Sequence, residues 1–424
     1  MDNMMTLFQR SLDPTAVKGG LRAPRLAQIA DGLAAAVAVA LPWSTSATAI
    51  LVVLWLIALV PTLDAAALRR EVMSAAGGLP VLLWVLGAIG MLWADVSWSE
   101  RFAGLSGFHK LLVIPLLLAQ FRRGGNANWV IVSFLASCLV LLVTSWALFL
   151  PSGLAWRGAS QPGVPVKNYI LQSEIFSICA FGLLGQATEL WRTGQRRLAL
   201  VLGLVAAIFG ANIGYVATSR TTLVVMAVLT LLFGLRAGGW KGALAAAAVG
   251  CVLAGIVWET SDYLRGRVSN AVNDVETYEE SHVDTPVGLR LEFWKKSLGF
   301  VAEAPVLGHG TGSIPKLFKD AATAETIPNA IATNPHSQIF AVALPLGLVG
   351  ALVLIALWIA HLALFRDHTL VAWFGLLVVT DNIVSSLFNS HLFDFSQGWL
   401  YVFAVGVTGG TVLRAATAKA DGQR

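Results

Sequence analysis

Charge is scarce in this chain. Asp, Glu, Lys and Arg make up 12% of its 424 residues, where soluble domains carry about twice that share. This excludes an ordinary soluble globular protein. Cysteine is almost absent: Cys138, Cys179 and Cys251 all fall inside apolar stretches. With no pair in a loop, neither a disulfide framework nor a metal knuckle can be built, and all three read as packing residues. No HExxH and no clustered Cys/His ligand set occurs, so no metal is expected. Internal repeats and low-complexity tracts are lacking too. The net charge is +5, but the cations fall in the short connections of an apolar chain. They read as a topology signal and not as a nucleic-acid surface, so no nucleic-acid partner is expected.

What is abundant is apolar sequence, at 56% of residues and arriving in blocks of roughly 17 to 25, the length a helix needs to cross a bilayer. The expectation is an all-α polytopic membrane protein with about twelve spans. The first six are Leu26–Trp43, Ala47–Leu63, Leu79–Trp93, His109–Phe121, Trp129–Leu150 and Tyr169–Leu190. Leu198–Val216, Thr221–Leu235 and Gly242–Trp258 follow, then His336–Leu364, Leu370–Phe388 and Gly398–Leu413. The fourth is short and contains Pro115, so it reads as tilted, broken or partly interfacial. Gly210 and Gly214 form a GxxxG pair that would let the seventh span pack closely on a neighbour.

Placing both termini in the cytoplasm puts Arg69, Arg70, Arg122, Arg123, Arg192, Arg196, Arg197, Arg236, Lys241 and Arg366 on the inside. The outer Ser44–Ser46 and Asn389–Gln397 turns hold no Lys or Arg, as the positive-inside rule asks. Trp43, Trp93, Trp129, Trp156, Trp191, Trp240, Trp258 and Trp399 stand near span ends, as an aromatic belt. The resulting division is a cytoplasmic tail over 1–25, nine spans over 26–258, a large external loop over 259–335, three spans over 336–413 and a cytoplasmic tail over 414–424. Ala94–Gly107, Pro151–Asn168 and Ala217–Arg220 join that loop on the outer face, which is therefore the functional one.

Several residues there could carry chemistry. Ser219 is a suitable N-cap for the eighth span, which puts Arg220 in its first turn as a snorkelling arginine or an anion ligand. Arg265 and Arg267 add two cations past the ninth span. Arg290 and Glu292 open a stretch in which Leu289, Phe293, Trp294, Leu298 and Phe300 suggest an amphipathic helix on the membrane surface. Asp274, Glu276, Glu279 and Glu280 read as solvated surface. Gly308–Gly312 fails as a phosphate-binding loop and reads as a turn needing unusual backbone angles or close approach. Asn334 as N-cap and Pro335 as first helical residue would place His336 at the second position of the next span. The positive helix end would then hold its imidazole neutral, fit to serve as a general base or simply as an interfacial histidine. Glu174, Asp381 and Asn382 lie within spans, functional or paired inside the bundle.

The order of these pieces resembles the bacterial O-antigen ligase and polymerase superfamily: Thr218-Ser219-Arg220-Thr221 at a span start, Gly288-Leu289-Arg290 with Trp294, Gly308 to Gly312, then Asn334-Pro335-His336-Ser337. A single large external loop before the last three spans looks more like the ligase than the polymerase. The resemblance implies a membrane glycosyltransferase (GT-C-like) fold and a metal-independent, inverting transfer with no cofactor. Its implied donor is O-antigen on undecaprenyl pyrophosphate and its acceptor a sugar hydroxyl of lipid A–core, at the periplasmic face of the inner membrane. It further implies His336 as catalytic base and Arg220 and Arg290 as pyrophosphate contacts, with Arg265, Arg267, Lys167 and Asn168 as further substrate-binding residues. Sibling readings are an O-antigen polymerase and a protein O-oligosaccharyltransferase. A polyprenyl-lipid flippase is a third, disfavoured because transporters concentrate charge at the midplane.

Overall fold

The computed structural model describes residues 22–150, 161–166, 168–281, 285–322 and 333–421. Most of the N-terminal tail, Trp156 and Lys167 lie outside them. The described residues form helices joined by short turns, with one isolated β-bridge between Gln161 and Val164.

In order these are α1 (Arg22–Ala40), α2 (Thr45–Leu59), α3 (Ala65–Val72), α4 (Ala75–Gly90), α5 (Trp98–Ser106), α6 (Val113–Arg123), α7 (Ala127–Phe149) and α8 (Tyr169–Arg192). Then come α9 (Arg196–Tyr215), α10 (Arg220–Thr260), α11 (Asp262–Ser281), α12 (Pro286–Glu303), α13 (Ile314–Asp320), α14 (Gln338–Leu364), α15 (Leu370–Ser385) and α16 (Phe395–Asp421). Their starts are set by side-chain caps: Ser44, Asp64, Ser74, Ser97, Asn126, Asn168, Thr285 and Thr369 each accept from an otherwise unpaired N–H of the first turn.

Among the described residues seven helices are long and apolar enough to cross a membrane, or nine when each of two bent pairs counts as one span. The bent pairs are α3 with α4, at 79°, and α5 with His109–Arg123, at 50°. Residues 94–107, expected as an external connection, thus hold α5, and the short fourth span is the second limb of a bent unit. One of the seven, α10, covers two predicted spans. A straight helix of its 41 residues would reach about 60 Å, twice the hydrocarbon thickness. It breaks at Gly238 and Gly239, whose backbones are non-helical, and folds back so that Gly234 meets Gly242 and Ala243 and Gly250 meets Thr230. Leu26–Trp43 and Leu370–Phe388 fall on α1 and α15. The chain is a multi-pass all-α membrane protein.

Apolar residues line both the core and the outside, as in lipid. Trp55, Trp373 and Tyr401 are fully buried, while Ile57, Val143, Leu204 and Leu253 face outward. Trp93, Trp98, Trp129, Trp191, Trp240 and Trp258 are exposed at helix ends, where their amphipathic rings suit the interface. Cys138 and Cys179 are buried, but Cys251 is exposed on α10. Of the GxxxG pair only Gly214 packs closely, against Val257; nothing lies within 4 Å of a methyl added at Gly210.

The Gly308–Gly312 segment finds its role here. α14 contains Pro345 and is broken at Gly347 (φ 63°, ψ −161°), which frees backbone groups that lipid cannot satisfy. The loop supplies partners: His309 N donates to Leu344 O (2.9 Å) and Gly310 N to Pro345 O (2.9 Å), while Leu348 N donates to Pro305 O (2.8 Å). Thr311 ties the same segment to α4 through Gly90 O (3.0 Å) and Gly87 O (2.6 Å). Gly308, Gly310, Gly312 and Gly347 all have positive φ. A Cβ on Gly347 would stand 2.2 Å from Val306 O. Gly347→Ala is therefore expected to cost well over about 1–3 kcal/mol, through strain and a backbone clash, and to abolish the monodisperse peak on size exclusion in detergent. Gly299→Ala, on α12 with open space around it, should leave that peak unchanged.

Candidate active site

Six elements meet at one end of the bundle: the starts of α8 and α10, the helices α11 and α12, the turn before α14 and the turn between α15 and α16. The last two are neighbours because α14 and α15 are consecutive helices whose ends meet, Gln338 N donating to Ser386 O (2.9 Å).

His336 is the centre of the arrangement. It does not occupy the second position of α14, which starts at Gln338 with Ser337 in the cap position. Its φ of 52° is the only positive value of a non-glycine residue among the described residues, a conformation that costs energy and is retained where surroundings impose it. Asn334 turns the chain there, its Oδ1 accepting from His336 N at 2.9 Å. Trp294 Nε1 on α12 donates to the His336 carbonyl at 3.2 Å. The ring stacks on Phe293 at 10° with centroids 6.1 Å apart, and Nδ1 lies 3.2 Å from Asn389 Oδ1. Burial, reinforced by the Arg290 charge, holds its pKa below the usual imidazole range, while the Asn389 hydrogen bond opposes this. The direction matches the expectation. The cause is desolvation and a nearby cation instead of the helix end.

α12 is not a helix laid wholly on a membrane surface. Phe293 and Phe300 are buried against Phe318 and Leu344, whereas Leu291 and Leu298 point outward. This packing holds Arg290 near both Arg220 and His336, which feel its charge or lend it theirs. Burial lowers the pKa of Arg290 from its ordinary value, Tyr169 works against this and Arg220 adds to it. No described carboxylate lies within ion-pair distance of Arg290. Two guanidinium groups close enough to repel, one of them partly desolvated, form a site for an anion.

Arg220 begins α10; Ser219 holds the cap position without a side-chain cap bond. Its Nη1 pairs with Asp274 Oδ2 of α11 at 3.0 Å, and its Nε is buried without a partner among the described residues. Asp274, expected as solvated surface, is thus part of the site. Arg267 of α11 donates to Tyr169 Oη at 2.8 Å and lies 4.7 Å from that ring's centroid, its Nε also buried and unpaired. Asn168, next to Tyr169, caps α8 through Leu171 N (2.8 Å). Arg265 is placed apart from this cluster: it pairs with Asp262 and donates to the carbonyls of Trp258 (2.6 Å) and Glu259 (2.7 Å) at the end of α10.

Below His336 runs a polar chain of which the sequence singled out only Glu174 and Asp381, as ionisable residues within spans. Asn389 Oδ1 also accepts from Asn334 Nδ2 (3.3 Å), and its Nδ2 donates to Asp394 Oδ2 (3.4 Å). Asp394 Oδ2 lies 3.0 Å from His391 Nδ1, and His391 Nε2 lies 3.1 Å from Glu174 Oε1 of α8. Asp381 stands beside this pair and accepts from Ser177 (3.3 Å). The 389–397 turn had been informative only for lacking Lys and Arg. Its Asn-x-His-x-x-Asp spacing facing the 334–336 turn was the available signal, and Tyr169 had none.

Residues 205–355, which carry Arg220, Arg290 and His336, match the O-antigen ligase family model. Over that segment the chain is similar to the O-antigen ligase family, which supports a place in the O-antigen ligase superfamily. The match supports a transferase at a coarse level, and the family implies lipid-linked polysaccharides as substrates in general. No curated protein matches the chain. Chemically the cluster sets an imidazole able to take up a proton beside guanidinium groups able to hold an anion.

Proposed function

We propose that this protein is an O-antigen ligase, transferring O-antigen polysaccharide from undecaprenyl pyrophosphate to a sugar hydroxyl of lipid A–core. The observation that supports it most is the meeting of His336 with Arg290 and Arg220, brought together from three separate elements within the family-matched segment. The acceptor oxygen attacks the anomeric carbon as the imidazole of His336 takes its proton. The bond from that carbon to the diphosphate oxygen breaks, and the electron pair leaves on undecaprenyl pyrophosphate. Inversion follows from attack opposite the leaving group. Arg220, Arg290 and Arg267 meet the charge that grows on the diphosphate, so a general acid is unnecessary. Arg265 and Asn168 remain candidate donor contacts at the margin, and Lys167, a further candidate, lies outside the described residues. The membrane glycosyltransferase (GT-C-like) fold, cytoplasmic termini and a periplasmic site in the inner membrane belong to the same reading, supported by the cation bias of the short connections.

Cells relying on this chain for ligation should show banded lipopolysaccharide, and cells carrying Arg220→Ala should accumulate lipid-linked O-antigen and unsubstituted core. Unaltered banding from Arg220→Ala would contradict the reading. Because the cations are supplied by the protein, transfer by purified enzyme should survive EDTA with its rate changed less than about twofold; strict Mg²⁺ dependence would count against an arginine-built site.

A further inference from the structure

We propose that His391 is a positioning residue which, held by Glu174 and acting through Asp394 and Asn389, fixes His336 in the tautomer whose Nε2 is free to accept a proton. The inference rests on His336 being the base of the proposed transfer and adds how that base is set.

The side chains of His391 and Glu174 are 2% and 1% exposed. Both ring nitrogens of His391 face carboxylate oxygens, Glu174 Oε1 at 3.1 Å and Asp394 Oδ2 at 3.0 Å. Nδ1 hydrogen-bonds to Asp394 while Nε2 is within ion-pair distance of Glu174, whose oxygens make no hydrogen bond among the described residues; an imidazolium answers both contacts. Burial alone would oppose that charge, but Glu174 and Asp394 overcome it and push His391 up to about 10. Asp394 Oδ2 accepts from His391 Nδ1. Lys110 fixes its backbone, Nζ donating to the carbonyls of Phe393 (2.9 Å) and Asp394 (2.6 Å).

An acceptor at Asp394 decides how the Asn389 amide lies: Nδ2 must point to the carboxylate, which turns Oδ1 toward His336. Asn334 Nδ2 reaches the same oxygen and favours the same orientation. His336 can satisfy Oδ1 only with a hydrogen on Nδ1, and its lone pair then sits on Nε2. The left-handed backbone at His336 fits this account, since Asn334, Trp294, Phe293 and Asn389 together impose one ring position. The charged groups acting on His336 are Arg290, Asp394 and His391. Those acting on His391 are Glu174 and Asp394, and Asp381 also faces it.

The test is steady-state kinetics of purified full-length variants over a pH series, each first checked for a monodisperse peak in detergent. Asn389→Leu should lower kcat by about 10²-fold while changing the donor KM less than about twofold, because the base is misplaced and the anion site is intact. The exchange Asn389→Asp with Asp394→Asn keeps an acceptor on Nδ1 and should restore most of kcat. A carboxylate now sits directly on that nitrogen and raises the pKa of His336, so the acid limb of the profile should move to higher pH. Removing one buried charge alone risks unfolding, so Glu174→Gln with His391→Gln is made together, with a loss in kcat of at least about tenfold expected. Wild-type kcat and acid limb in Asn389→Leu and in the exchange variant would overturn the inference. His336→Ala separates the two levels: a loss there with unaffected Asn389 variants rejects only the positioning role, while an active His336→Ala rejects the base itself.

Discussion

His336→Asn is expected to remain folded and membrane-inserted while its transfer rate falls by about 10²–10⁴-fold, the range a positioned general base supplies. Asparagine is the informative replacement because it tolerates positive φ better than most residues, and His336 sits at 52°. His336→Ala should be equally inactive but somewhat less stable, which separates the backbone's demand from the ring's chemistry. The pH dependence has a defined sign. Burial and the Arg290 charge hold the His336 pKa below its ordinary value, so the neutral, active ring persists on acidification until that lowered pKa is crossed. The acid limb of kcat/KM should accordingly lie below the usual imidazole range. Arg290→Gln removes a cation that depresses the pKa and should move what activity remains toward a limb at higher pH.

Arg290→Ala is the second variant with a large expected effect, a loss of about 10²–10³-fold in kcat, as when one preorganised group facing developing charge is removed. Arg290→Lys should recover little, because a point charge does not reproduce the planar fork. The Arg220 side chain should behave differently in the ground state. It is paired with Asp274 at 3.0 Å, so a bound diphosphate has to displace or share that partner. Arg220→Ala is expected to raise the donor KM as well as lower kcat, whereas Asp274→Asn should lower the donor KM. Steady-state kinetics against donor concentration distinguish the two patterns.

The helical, multi-pass class was legible because length and hydropathy alone dictate it in lipid. The predicted spans Thr221–Leu235 and Gly242–Trp258 match the two limbs of α10, since the Gly238–Gly239 break lies between them. The bends between α3 and α4 and between α5 and His109–Arg123 were not legible, because a bend depends on which neighbours satisfy the freed backbone. At the site, Arg220, Arg290 and His336 could be picked out as polar residues beside apolar runs. Of the supporting chain only Glu174 stood out, as an acid within a span; Asn389, His391 and Asp394 did not, since they sit in one connection whose residue types are ordinary in turns and reach Glu174 only through the fold. His336 shows the difference most clearly. Asn334 and Pro335 read as a helix start, yet Asn334 makes a turn with the His336 N–H and the helix begins only at Gln338, three residues after Pro335.

The glycine-rich segment teaches the same lesson from the other side. Its composition announced unusual backbone angles, and Gly308, Gly310 and Gly312 have them. What it serves, the broken middle of α14, is visible only when Leu344 and Pro345 are seen accepting its N–H groups.

The central claim is best tested by reconstituting the purified protein with an undecaprenyl-pyrophosphate-linked O-antigen donor and two competing acceptors, lipid A–core and a growing lipid-linked glycan. Polysaccharide is expected on lipid A–core with wild-type protein and not with His336→Asn, and the lipid-linked glycan should not be lengthened. Lengthening of that glycan with no product on lipid A–core, or wild-type yields from His336→Asn, would contradict that claim.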